Sequence, residues 1–250
     1  FTGFCSHHDD ELFAPIEKQP FTGSAHQVTL LAYRSICHEL FAKLKDKEMT
    51  ATRRSLDRGE PLQRQRVLQE MVSLHQAGVS KAIGELEELK NLHDVMLRAH
   101  DFSEINSYIV LFDNTPEMLC SAIHQATHDF RGNLLQQLGN PNTNAHWLHF
   151  SLITTDAGGA AVFTWPVEHT LSRKFIGTLD ELGDDGLPHA IVRFTFEFFE
   201  NTYFSPDWWD SLGESERVSL MKRQCRDIPP SFEFPRPNDC LKDDGIRIVD

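Results

Sequence analysis

Cys5, His7, His8, Asp9, Asp10 and Glu11 put one thiol, two imidazoles and three carboxylates into seven consecutive residues of a 250-residue chain. A structural zinc takes four N or S ligands, commonly as one close pair completed by a second pair elsewhere. Cys5-x2-His8 has the spacing of such a pair, and no other C-x2-C or C-x2-H pair occurs in the sequence. A complete site therefore needs ligands brought in by the fold or lying before Phe1. The chain opens without an initiator Met, and we expect a preceding segment to supply them. His7 is the poorer ligand, because adjacent residues seldom point at one ion. The competing reading is a polar loop that contains one thiol. A second constellation, Cys120-x3-His124-x3-His128-Asp129, would align on one face of a helix, although histidines so placed commonly pack, cap or face water. Cys37-His38 reads as helix core and surface. Thirteen histidines are present, and no local signature selects a nucleophilic Cys-His pair among them.

Other catalytic templates are missing. The sequence contains no Gly-x-Gly-x-x-Gly or Gly-x4-Gly-Lys phosphate loop and no Gly-x-Ser-x-Gly elbow. Glu200, Asn201, Tyr203, Trp208 and Trp209 crowd into one short run. Such aromatic density suits either a ligand pocket or packing at the end of a strand. The net charge of −13 is uneven: residues 24–100 carry twelve Lys/Arg against ten Asp/Glu, and residues 101–250 carry eleven against 23. Nucleic acid requires clustered positive charge, which leaves Arg53, Arg54 and Arg58, with Arg64 and Arg66, as the candidate contacts. A solvated helix face explains the same residues. No run approaches the roughly 18 apolar residues of a membrane-spanning helix. Five irregularly spaced cysteines fit reduced thiols and a cytoplasmic location.

The elements that must position these groups are legible in the periodicity. Prolines and a glycine mark residues 13–23 as an irregular connection. Ser24 stands as an N-cap before a helical pattern through Val28, Leu31, Ile36, Leu40, Phe41 and Leu44. After Gly59 and Pro61 a second pattern runs from Leu62 to about Arg98, as one long helix or two split near Gly78. Two long helices with a short connection predict antiparallel neighbours. From about residue 107 the period shortens. Residues 107–112 read as a strand, and residues 146–166 as a hairpin around Asp156-Ala157-Gly158-Gly159, with a turn longer than two residues. Ala190, Val192, Phe194, Phe196 and Phe198 alternate as a half-buried strand that Pro206 would follow. Residues 115–140 and 171–183 read as helical. The expectation is an α+β protein: residues 1–23 as the end of a zinc module, 24–100 as a long antiparallel helical hairpin, and 101–250 as a mainly antiparallel sheet with helices on one face.

Three stretches, GFCSHHDDELFAPIE, LLAYRSICHELFAKL and RFTFEFFENTYFSPDWWDSL, together resemble an uncharacterised bacterial family. Members carry an upstream cysteine pair and a Ser-His segment similar to the treble-clef zinc region of HNH-type nucleases. The resemblance implies Cys5 and His8 as zinc ligands and Asp9 as the partner that orients the imidazole. It offers two functions. One is a zinc-stabilised binding protein whose acidic α+β domain holds a protein or small ligand. The other is an HNH-like metal-dependent nuclease acting in defence, meeting nucleic acid through the helical arm or the segment before Phe1. The acidic second half favours the first. A helix-mediated homodimer is also expected, because long paired helices expose apolar surface.

Overall fold

The computed structural model describes residues 4–138, 142–224 and 240–245. The remaining parts of the expected segments 1–23 and 101–250 lie outside the described residues. Two short helices, α1 (Ser6–Leu12) and α2 (Ala14–Glu17), open the chain. Phe13 between them is buried against Leu30, Tyr33 and Cys37, under the Arg34 guanidinium 4.3 Å from its ring. The irregular connection that follows is organised by Gln27. Its Oε1 accepts from the Thr22 N–H at 2.8 Å and from the Thr22 hydroxyl at 3.0 Å. Its amide donates to the Pro15 and Pro20 carbonyls at 2.9 and 2.8 Å. A buried side-chain amide thus satisfies backbone groups that a proline-rich segment cannot pair with itself.

Ser24 caps α3 (Ala25–Glu48), its hydroxyl accepting from the Gln27 N–H at 3.3 Å. The chain turns through α4 (Thr50–Arg54) and a 3-10 turn at Ser55–Asp57, then returns as α5 (Leu62–Ala99), one helix unbroken at Gly78. Tyr33 bonds Asp94, and Asp46 meets His75. These pairings run in opposite senses along the two helices, which makes them antiparallel neighbours. The buried residues of α3 end at Cys37 and those of α5 begin at Val79. The distal half of the hairpin therefore extends beyond the core.

Five antiparallel strands follow the hairpin: β1 (Ile105–Phe112), β2 (Met118–His124), β3 (Leu148–Thr155), β4 (Gly158–Pro166) and β5 (Thr202–Phe204), in the order β1-β4-β3-β2-β5. Helices α6 (Thr170–Asp180), α7 (Gly183–Phe198), α8 (Pro206–Ser211) and α9 (Glu214–Gln224) complete the described chain. Every residue of β4 is buried. Ala161, Phe163 and Trp165 join the cluster built on α7, while Ala160 and Val162 meet Val28 and Leu31 of α3. Helices thus cover both faces of the sheet, not one. The unbroken apolar run of β4 is the pattern of a strand buried on two sides.

Three local expectations are corrected. The β3–β4 turn has two residues, Asp156 and Ala157, with Thr155 opposite Gly158. Gly158 takes φ +137°, and a Cβ there would lie 2.1 Å from the Phe112 carbonyl oxygen; the bare backbone lets the end of β1 close onto β4. Residues 190–198 belong to helix α7 and not to a strand. The run is buried almost all round, so no solvated stripe marks the helical period, and Arg193 and Glu197 take partners on α9 and in residues 240–245. The stretch 115–140 is not helical where described. Met118–His124 forms β2, with Met118 and Cys120 buried and Leu119 exposed, because pairing with β3 decides a segment of middling propensities. Pro206, likewise, begins α8 after the short β5.

Candidate functional site

Two places bring chemically capable groups together at the surface. Cys5 is the N-cap of α1, and its Sγ lies 3.1 Å from His8 Nδ1, both residues exposed. Two ligands of a tetrahedral zinc, bonded at about 2.3 Å for sulfur and about 2.05 Å for nitrogen, stand about 3.6 Å apart. The pair stands closer than that, at hydrogen-bond distance. The two-turn helix α1 and its N-cap present both side chains, and burial of Phe13 anchors that helix to α3. No cluster of three or more His, Cys, Asp or Glu suited to a metal occurs among the described residues. Asp9 lies on the same helix and makes no hydrogen bond to the His8 ring, and His7 turns to Glu11 at 3.6 Å.

The second place is a groove of about 790 Å³ across the end of the sheet. Its walls are the residues joining β1 to β2, Leu152 of β3, Ile191 and Val192 of α7, and Trp208 and Leu212 of the α8 region. Gly159 shapes it: a Cβ there would lie 2.4 Å from Pro116 Cδ, so the β1–β2 connection settles against β4. Ser205 caps α8, its hydroxyl accepting from the Trp208 N–H at 3.3 Å, and this fixes Trp208 on the wall. Asp113, Glu117 and Glu216 complete the lining, which among the described residues includes no Lys or Arg. Glu216 accepts from the Gly213 N–H. The carboxylates of Asp113 and Glu117 make no hydrogen bond or ion pair among the described residues. Of the aromatic residues singled out above, Trp208 lines the groove. Trp209 stacks on Phe196 at 6.3 Å and on Phe204 at 5.0 Å, and Tyr203 is 73% exposed on the edge strand.

A smaller cavity of about 390 Å³ lies where α5 meets residues 136–138 and 143–146, and its buried carboxylate is already engaged. The buried Glu85 carboxylate accepts from Trp147 Nε1 at 3.0 Å, Gln125 Nε2 at 3.2 Å and the Ala145 N–H at 3.2 Å. Lys81 stands 3.6 Å away. The groove beside Trp208 is the larger of the two, and its Asp113 and Glu117 carboxylates are without a partner among the described residues.

Compared with known proteins, the chain matches no family model, no curated protein and no solved structure.

The other candidates separate. Cys120, His124, His128 and Asp129 do not share a helix face. The His124 ring packs among Phe194, Phe198 and Phe199, at 4.2 Å from Phe198. His128 bonds Thr127 Oγ1, and the Asp129 carboxylate takes the Arg131 and Asn133 N–H groups of a turn. Burial pushes the Cys120 thiol up to about 12 and the Cys37 thiol up to about 11, away from the range of nucleophilic cysteines. Arg53 pairs with Asp46 of α3, and Arg54 bonds Gln76 of α5 at 3.1 Å, so the two tie α4 to both long helices. Arg58 is exposed beyond them. No described helix is long and apolar enough to cross a membrane. Reading the sequence missed the rim residues Asp113 and Glu117, whose only local signal is a Pro-containing turn flanked by acids. It also missed Glu85, which looks like any helix-surface glutamate.

Proposed function

We propose that this is a zinc-stabilised, cytoplasmic binding protein whose groove beside Trp208 holds part of a protein or small ligand. The groove carries the reading: it joins a half-buried tryptophan and apolar walls to the Asp113 and Glu117 carboxylates, which have no partner among the described residues, the composition of a recognition site. In this reading Cys5 and His8 hold the zinc, with further ligands outside the described residues. The metal fixes the fold and takes no part in chemistry. Leu56, Leu62, Val67 and Leu74 are 51–69% exposed on the distal hairpin, which supports self-association of that arm. The alternative of an HNH-like nuclease acting in defence draws on the sequence resemblance and on exposed Arg58.

Two measurements on the full-length protein test the reading. Elemental analysis is expected to give about one zinc per chain, lost together with thermal stability in Cys5→Ser/His8→Ala. A thermal-shift screen of small polar and apolar compounds and short peptides is expected to find ligands whose stabilisation disappears in Trp208→Ala. Absence of zinc retires the metal, and shifts indifferent to Trp208 retire the groove. Hydrolysis of DNA or RNA with magnesium or manganese, abolished by the Cys5/His8 variant, would replace the binding reading with the nuclease.

A further inference from the structure

Resting on the binding function just proposed, we infer that the groove takes a short peptide segment of a partner protein in which Lys or Arg alternates with apolar side chains. Charge supplies the first argument. Asp113 and Glu117 flank the Thr115-Pro116 turn at the rim, exposed and without hydrogen bond or ion pair among the described residues, and Glu216 closes the opposite wall. No described Lys or Arg lines the groove to neutralise them. An anion would meet three carboxylates, whereas a cationic side chain finds two acceptors that have no partner among the described residues. The chain's net charge of −13 adds attraction at longer range.

The walls supply the second argument. Leu111, Pro116 and Pro188 present hydrocarbon, and Trp208 presents the aromatic ring that attracts cations most strongly. A compact hydrated cation would leave those walls uncovered. A side chain with an aliphatic stem and a cationic end matches both surfaces, as lysine and arginine do. Size supplies the third. At about 790 Å³ the groove lies toward the upper end of the roughly 300–1,000 Å³ of ligand pockets. That space suits several residues of extended chain better than one amino acid.

The test uses the full chain and three acetylated, amidated pentapeptides: Ala-Lys-Leu-Lys-Ala and its counterparts with Gln or Glu in place of both Lys. Binding is followed by NMR at the Trp208 indole N–H, assigned from Trp208→Phe. The Lys peptide is expected to bind in 50 mM salt and weaken at 500 mM. Each lost ion pair is worth up to about fivefold, so the Gln peptide should bind about tenfold more weakly. The Glu peptide should not bind. The double variant Asp113→Asn/Glu117→Gln should lose about tenfold for the Lys peptide with its unfolding midpoint unchanged. Equal binding of the Lys and Gln peptides would overturn the cationic class and leave a binding groove standing. If no peptide binds but small compounds still shift the wild type and not Trp208→Ala, the peptide partner falls and the groove remains. If nothing binds at Trp208, both fall.

Discussion

Acidification from pH 7 to pH 4.5 should destabilise this protein through His93, and the sign follows from its surroundings. His93 is fully buried on α5. Its Nδ1–H donates to the Leu89 carbonyl at 2.8 Å, leaving Nε2 buried with no partner among the described residues. Burial lowers its pKa to about 4. An unfolded histidine titrates near 6.5, so between about pH 6.5 and pH 4 the unfolded chain binds a proton that the folded chain refuses. Stability therefore falls as pH drops through that window, by about 2–3 kcal/mol from pH 7 to 4.5 for this residue alone. His149 works in the same direction. It is 2% exposed, packs edge-on to His93 with ring centroids 5.5 Å apart, and burial holds its pKa well below the usual value. Urea unfolding at half-unit pH steps, in wild type and in His93→Asn, measures the effect. The Asn amide can still bond the Leu89 carbonyl but does not titrate, so the variant should show a slope shallower by about 1 kcal/mol per pH unit. Parallel slopes in the two proteins would refute the assignment.

Glu85→Ala should cost about 2–4 kcal/mol in denaturant unfolding, because Trp147 Nε1 and the Ala145 N–H lose their acceptor inside the protein; a loss below about 1 kcal/mol would mean that water replaces the carboxylate freely. Gly158→Ala should cost about 3 kcal/mol or more, since a Cβ meets the Phe112 carbonyl at 2.1 Å on a φ of +137°; an unchanged unfolding midpoint would show that β1 withdraws without penalty. Val67→Ser/Leu74→Ser lies on the exposed arm and should change stability by no more than about 0.5 kcal/mol while shifting light-scattering mass from dimer toward monomer. A wild type monomeric at 100 μM would sink the self-association.

The sequence by itself determined the local devices whose physics is short-ranged. Ser24 announced the start of α3, the long pattern to Arg98 announced α5, and the β-rich run at 107–112 with the alternation at 146–166 announced three strands. Cys5 and His8 were also legible, because a three-residue separation on one helical turn is enough to bring Sγ and Nδ1 together. The tertiary structure decided what depended on distant partners. Residues 190–198 read as a strand on paper, since burial from several sides erases the polar stripe that would reveal the helical period; α9 and the sheet, packing around them, made a helix. Residues 118–124 looked helical until β3 paired with them, and that pairing dissolved the Cys120, His124, His128 alignment. The groove had no signature along the chain. Asp113, Leu152, Ile191, Trp208 and Glu216 are up to about a hundred positions apart, and only the closure of the β1–β2 turn over β4, allowed by two glycines, sets them around one space. The buried histidines follow the same logic: composition counts them, but the low dielectric that keeps them neutral exists only once α3, α5 and β3 have packed together.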